Sequence, residues 1–234
     1  MIESKSWNWA MVDKDDKYWN SPAPEFYYLA DNWKNKNFKK ILDVGCGYGR
    51  NSIYLAKQGF CLDGFDLSEL SVERTKENAK KQNLNFDNFV VADMLNFPYL
   101  DNTFDGLIAY NVISHTDIEG FKKTLNEIKR VLKPDGEAYF TLGSKKSFWF
   151  TNPKCTYVDE NTRIRVEDGP ENGIPHFYID DEDCLTLFND FKLIRVQEVR
   201  ELTHYGTFSP HYHIWIKNKQ QIFLLFFSIK NTYL

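Results

Sequence analysis

The chain holds only four cysteines, Cys46, Cys61, Cys155 and Cys184, and none stand in C-x-x-C spacing. That argues against a disulfide framework, a cysteine-based zinc site and an iron–sulfur radical mechanism. Small buried thiols are the plain reading for Cys46 and Cys61. Nor does any apolar run reach bilayer length; the longest, at 222–227, is too short to cross one. Residues 7–16 mix aromatic and acidic side chains and contain no apolar signal core, so a cytoplasmic location is expected. Positive charge is not in excess either. The net charge is −4 and no basic stripe is present, so a nucleic-acid partner is disfavoured. The locally basic stretch 34–40 reads as a solvated lead-in to a strand. No His-x3-His or acidic-triad spacing supports a metal, and none is expected.

What the chain does have is a run from Ile41 to Arg50. Ile41, Leu42 and Val44 supply a buried strand. Gly45, Gly47 and Gly49 let the backbone turn sharply and approach a ligand without a Cβ in the way. Asn51 to Lys57 then shows helical spacing, closed by Gly59. Strand, glycine turn and helix start form a nucleotide-type cradle. A dinucleotide fingerprint, G-x-G-x-x-G, would put its third glycine later than Gly49. Asp43, at the strand end, would repel a pyrophosphate and suits a ligand with a positive amino group. The spacing and the acid point away from NAD and toward S-adenosylmethionine, which carries an ammonium and a sulfonium.

At these residues the chain resembles the class I S-adenosylmethionine-dependent methyltransferases, in particular the small-molecule type, over roughly residues 38–218. Asp43 to Gly49 matches the first motif of that family. Phe60 to Asp66 resembles its second strand, and Val90 to Met94 its third. The stretch 97–105 is similar to its lead into the fourth strand, and 132–137 to its turn before the fifth. The resemblance implies that Asp66, with Leu67, binds the ribose, that Asp93, with Met94, contacts the adenine, and that Asn111 touches the cofactor. It implies a doubly wound, Rossmann-like α/β fold with a seven-stranded sheet, mostly parallel and ending in an antiparallel strand pair. The stretch 49–56 is also similar to the thiopurine- and tellurite-type methyltransferases, a local likeness that transfers no substrate.

The acids carry a physical reading of their own. An acid at the end of the strand after the glycine turn can accept two ribose hydroxyls as charge-assisted hydrogen bonds, which suits Asp66. Asp93 can accept from the adenine amine. With Asp43, the three would line the carboxyl edge of one parallel sheet and grip a cationic nucleoside. The alternative is that Asp66 and Asp93 merely cap the helices that follow, although Ser68 can also cap.

Strict βα alternation predicts strands near 40–44, 61–65, 86–91, 104–110 and 137–143, with helices over 50–58, 69–82 and 117–131. Residues 1–37 hold many aromatics, which must pack on something; helices around 23–34 are expected to cover the cofactor side as a lid. Residues 144–179 read as an insertion that covers the substrate, ahead of a helix at 180–189. Strands at 191–202 and 212–217, joined by a short loop with Gly206 and Pro210, form the antiparallel pair. The tail, 219–234, is apolar and unassigned.

Methyl transfer asks for an in-line nucleophile and exclusion of water, so proximity does most of the work. A base is needed only when the acceptor arrives protonated. Tyr110, Asn111, Ser114 and His115 follow the fourth strand. His115 is a candidate general base or a structural histidine beside Asp117. His176 lines a substrate pocket or packs in an aromatic cluster. His211 and His213 share one strand face; with His115 and His176 they could make a metal site or a polar substrate pocket, although no ligand spacing supports the metal. Arg50 would pair with the cofactor carboxylate at the helix start. Tyr18 and Trp19 would close over the cofactor or pack within the lid, Trp19 as a cation–π partner for the sulfonium. The expected function is methyl transfer from S-adenosylmethionine to an oxygen or nitrogen of a small molecule, by a monomer or homodimer with no membrane partner. Methylation of tRNA or protein, non-catalytic S-adenosylmethionine binding and a nicotinamide oxidoreductase are the alternatives.

Overall fold

A strand buried on both faces needs helices on both sides of its sheet, and the first strand shows this pattern. The computed structural model describes residues 4–166, 168–200 and 208–219. A 3-10 turn at Trp9–Met11, α1 (Lys17–Asn20) and α2 (Glu25–Asn35) precede β1 (Lys40–Val44), which is buried from Ile41 onward. The alternation continues with α3 (Arg50–Lys57), β2 (Cys61–Asp66), α4 (Glu69–Lys80), β3 (Phe89–Val91), β4 (Phe104–Ala109), α5 (Ile118–Val131) and β5 (Leu132–Ser144). There follow α6 (Phe148–Thr151), β6 (Thr156–Tyr157), β7 (Thr162–Ile164), β8 (Pro175–Ile179), α7 (Asp181–Leu187), β9 (Phe191–Val199) and β10 (His211–Asn218).

The main sheet runs β3-β2-β1-β4-β5-β10-β9. β1 to β5 are parallel, and β10 lies antiparallel between β5 and β9. This is the doubly wound sheet expected from the sequence, with its antiparallel pair at one end. One departure lies at the far end of β5, where Gly143 and Ser144 pair in parallel with Tyr178 and Ile179 of β8. β8, β7 and β6 form a small antiparallel ribbon there, so the insertion grows directly out of the sheet's carboxyl edge.

Alternate residues of each strand feed two cores. Ile41, Ile108, Tyr139 and Trp215 pack on Phe26, Leu29 and Trp33 of α2 and on Ile53 and Leu55 of α3. Leu42, Leu107, Phe140 and Ile214 face Phe121, Leu125 and Ile128 of α5 on the other side. The expectation that the helix near 23–34 acts as a lid is therefore corrected. α2 is a core helix, because burial of Phe26, Leu29 and Trp33 stabilises the fold by roughly 1.5–3 kcal/mol each, and a mobile cover would forfeit that. Ser68 caps α4 by accepting from the Ser71 N–H, and Asp117 caps α5 from the Gly120 N–H. β3 is shorter than expected because a turn occupies the residues after Phe86. β5 starts earlier, at Leu132, through an irregular register against β4. His204, Gly206 and the apolar tail from 220 onward lie outside the described residues.

Candidate functional site at the carboxyl edge of the sheet

The carboxyl ends of β1, β2, β3 and β4 open into one cleft of about 860 Å³, counting space open to solvent. A cleft there is what an open α/β sheet offers a ligand. Its floor is the glycine turn. Gly45 (φ +68°) and Gly47 (φ +54°) both sit in the left-handed region. A Cβ on Gly45 would meet the Val112 side chain at 2.3 Å, and one on Gly47 would meet the Trp9 ring at 2.7 Å. The turn is thus a cradle that only glycine leaves open.

Two acids stand in the wall. Asp66 accepts from the Gly47 N–H (3.0 Å) and the Ser68 N–H (2.9 Å). Burial nevertheless pushes its carboxyl above the ordinary range, with the backbone donors opposing. Ser68 provides the helix cap, so Asp66 does not serve as one. Asp93 accepts from the Leu95 N–H and the Ser4 hydroxyl, both at 2.8 Å, and no helix follows it to be capped. Leu67, Met94, Asn111, Arg50 and His115 line the same cleft. Asn111 adopts φ +57° and is locked by a reciprocal pair with Thr141, accepting from its hydroxyl at 2.7 Å and donating its own N–H at 2.8 Å.

Four expected contacts sit elsewhere. Asp43 lies behind the glycine turn, not in the wall. It is 3% exposed and accepts from the Ser52 hydroxyl at 2.6 Å. Burial, above all, raises it to about 7; the Asp66 charge adds to this, while Ser52 and Arg50 oppose it. Gly49 (φ +79°) starts α3 and packs on Thr75. Tyr18 is half exposed and does not line the cleft, its ring lying 4.5 Å from the Arg50 guanidinium, whereas Trp19 lines the cleft. His176 is one step further out, with its ring 4.8 Å from that of His115.

The cover was only partly legible. Trp7, Trp9 and Trp19 form a triangle with centroids 5.3–5.5 Å apart. Trp9 also packs on Tyr48 (4.7 Å), and Trp7 stacks near His115 (6.2 Å). The Tyr48 hydroxyl donates to the Trp9 carbonyl at 3.0 Å. Ser4, Lys5, Ser6 and Trp7 also line the cleft, and in the sequence only the density of aromatics before residue 37 hints at them. The cover and the insertion also meet, through the Asn8 N–H to the Pro170 carbonyl (3.0 Å) and Lys5 Nζ to the Gly173 carbonyl (3.2 Å). His213 binds the Tyr139 hydroxyl at 2.6 Å and faces Glu25 at 3.4 Å.

Residues 41–136 match the family model described as a methyltransferase domain. A sterol 24-C-methyltransferase of Gibberella zeae is 33% identical over 136 residues, covering 57% of this chain and 35% of that protein. The chain thus spans about a third of that curated relative. A solved S-adenosylmethionine-dependent methyltransferase from Methanosarcina mazei superposes with TM-score 0.68 and 19% identity, covering 86% of this chain and all of the other. The 1,6-didemethyltoxoflavin-N1-methyltransferase of Burkholderia thailandensis, solved with S-adenosylhomocysteine, gives TM-score 0.60 and 16% identity over 84% and 79% of the two chains.

The residues present fit such a donor. The Trp7 side chain lines the cleft and its buried indole N–H has no hydrogen-bond partner; an occupant whose acceptor reached that N–H would satisfy it. The glycine cradle admits a nucleoside, and the wall acids Asp66 and Asp93 offer acceptors to hydroxyl and amine groups. Among the described residues no helix is long and apolar enough to cross a membrane.

Proposed function

We propose, from the premise that this chain belongs to the class I S-adenosylmethionine-dependent methyltransferases, that it methylates an oxygen or nitrogen of a small molecule. The observation that carries this is one cleft with Asp66 and Asp93 at successive strand ends, the glycine cradle beneath and three tryptophans above. In this reading Asp66 holds the ribose hydroxyls and Asp93 the adenine amine. Asp43 acts from behind the turn, on the amino group, through its charge. When bound, the sulfonium supplies a methyl carbon bearing an excellent leaving group. The protein's task is then to align the acceptor and keep water out. Trp7, Trp9 and Trp19 exclude water, and their enclosure favours a small acceptor over a polymer.

His115 stands at the acceptor side. Burial, above all, holds its imidazole well below the ordinary histidine range, with His176 and Arg165 adding to the effect. A neutral ring has a lone pair that can take the acceptor's proton. With the donor bound, His115 would take the proton that the acceptor's oxygen or nitrogen gives up as it gains the methyl group. Calorimetry with S-adenosylhomocysteine and with NAD tests the donor, and only the former should bind. Labelled methyl transfer into a metabolite pool, with and without RNA, tests the acceptor. Label in RNA or protein alone would overturn the small-molecule reading.

A further inference from the structure

We propose that His115, Glu171 and His176 form a binding site for a divalent transition-metal ion of the zinc class, at the border of the donor cleft. The three side chains come from distant parts of the chain. His115 lies in the loop after β4, Glu171 in the loop before β8, and His176 on β8. The Phe177 N–H donates to the Ser114 carbonyl at 2.7 Å, which pins β8 against the loop that holds His115. One ligand atom from each of the three lies within 4.8 Å of the others, and His176 Nε2 is 3.6 Å from Glu171 Oε1. Ligand atoms around a tetrahedral zinc stand roughly 3.3–3.7 Å apart, given bonds of about 2.0–2.3 Å. The histidine–glutamate pair already has that spacing, and the third ligand needs a shift of about 1 Å.

The hydrogen-bond pattern leaves room for a cation. His176 Nδ1 sits 3.0 Å from the Ile174 carbonyl, which can only accept, so Nδ1 carries the hydrogen. Nε2 therefore presents a lone pair. That atom is buried and has no hydrogen-bond partner. The lone pair faces a carboxylate oxygen, and two acceptors at this distance repel unless a cation lies between them. The Ile174 carbonyl behind Nδ1 is the backing that orients a metal-ligating imidazole. Arg165 pairs with the other oxygen of Glu171, leaving Oε1 free to ligate.

The site's use in transfer rests on the methyltransferase reading, whereas ion binding does not. Three protein ligands leave a fourth position, as in catalytic zinc sites. His115 lines the donor cleft, so the acceptor's heteroatom is the group that would fill this position. In the ion-loaded chain the His115 lone pair holds the ion and is not the base: the ion would make the acceptor's O–H or N–H more acidic, and that proton would leave to water before the methyl group is transferred.

The test uses the full chain stripped by a chelator, titrated with zinc chloride by calorimetry and with cobalt(II) chloride by absorbance. One ion per chain and the visible bands of four- or five-coordinate cobalt are expected. Glu171→Gln and His176→Gln should each weaken zinc binding at least a hundredfold. Both should retain S-adenosylhomocysteine affinity, since neither residue lines the cleft. Proton NMR of the cobalt form of the unmutated chain should show two shifted imidazole N–H signals, a readout independent of how the variants fold. Absence of stoichiometric uptake, unchanged uptake in either folded variant, or fewer than two such signals would overturn the proposal. Ion uptake without S-adenosylhomocysteine binding would support the site and overturn the methyltransferase reading instead.

Discussion

Glu137 and Asp43 are each 3% exposed in the same sheet, yet their surroundings differ. Glu137, at the amino-terminal edge, accepts from the Trp33 indole (2.9 Å), the Trp215 indole (3.0 Å) and Lys36 Nζ (2.8 Å). Asp43, toward the carboxyl edge, has the Ser52 hydroxyl and a neighbouring like charge on Asp66. The amino-terminal edge satisfies its buried charge from within the chain. The carboxyl edge leaves a Trp7 N–H and a His176 lone pair unmatched. Buried polar groups cost free energy when unpaired; Asn218 Oδ1, beside the start of β5, is unmatched too, so what separates the two edges is how their buried charges are paired.

The sharpest way to break this contrast is to remove one acid from each edge. Asp66→Ala should weaken S-adenosylhomocysteine binding about a hundredfold, the equivalent of one or two charge-assisted hydrogen bonds. Thermal stability should change little, because the carboxylate already carries a desolvation penalty. Glu137→Ala should do the reverse. Two indole N–H groups lose their acceptor, at a cost of roughly 2–5 kcal/mol; Lys36, 38% exposed, contributes little of it. The remaining folded protein should bind S-adenosylhomocysteine normally. Calorimetry and urea unfolding of both variants check the pair, and equal losses of affinity would erase the contrast.

A second, smaller effect is a pH dependence confined to the carboxyl edge. Asp43 titrates at about 7 in the ligand-free chain. A cationic amino group favours its ionised form, so binding should release up to one proton below pH 7 and tighten as pH rises from 6 to 8. The gain is at most about tenfold per unit. Proton release, read by calorimetry in two buffers of different ionisation enthalpy, should vanish in Asp43→Asn. Histidines move stability in another window. His211 and His213 are lowered by burial to about 4, whereas the unfolded chain takes up protons near 6.5. Stability should therefore hold above pH 6.5 and fall between there and pH 4. A flat urea midpoint across that range would exclude it.

The same two edges explain what the sequence disclosed. The strand at Ile41–Val44, the glycine turn, Asp66 and Asp93 are local patterns, set by apolar runs and backbone sterics, and the structure follows them. α2 misled because a run rich in Phe, Tyr and Trp looks alike whether it covers a cleft or fills a core; only its packing on Ile41, Tyr139 and Trp215 decides. For Asp43 the sequence shows the position but not the burial, which bonds it to Ser52. A residue two positions before a turn is near the ligand in sequence, but the pleat places it behind the backbone. The meeting of His115, Glu171 and His176 depends on β8 pairing with the end of β5. That is a long-range contact with no periodic trace in the sequence.

The smallest expected effect separates two roles for Arg50. Its guanidinium lies 4.5 Å from the Tyr18 ring and 5.3 Å from the Trp19 ring, and Nη1 donates to the Tyr18 carbonyl at 2.7 Å. These contacts suit a clamp on the cover from inside the cleft, whereas the sequence suggests a partner for the donor's carboxylate. Lysine keeps the charge but loses the planar fork and its stacking. As a clamp, Arg50→Lys should weaken S-adenosylhomocysteine about three- to tenfold, mainly through faster dissociation. Methylthioadenosine, which has no carboxylate, distinguishes the roles. A clamp weakens both ligands alike in Arg50→Lys, whereas a carboxylate partner leaves methylthioadenosine unaffected. An equal loss would make the working edge depend on a cover held by cation–π contacts. At the opposite edge, Lys36 lies 5.0 Å from the Trp215 ring while that indole is already held by Glu137, so loss of the cation there should leave the ring in place.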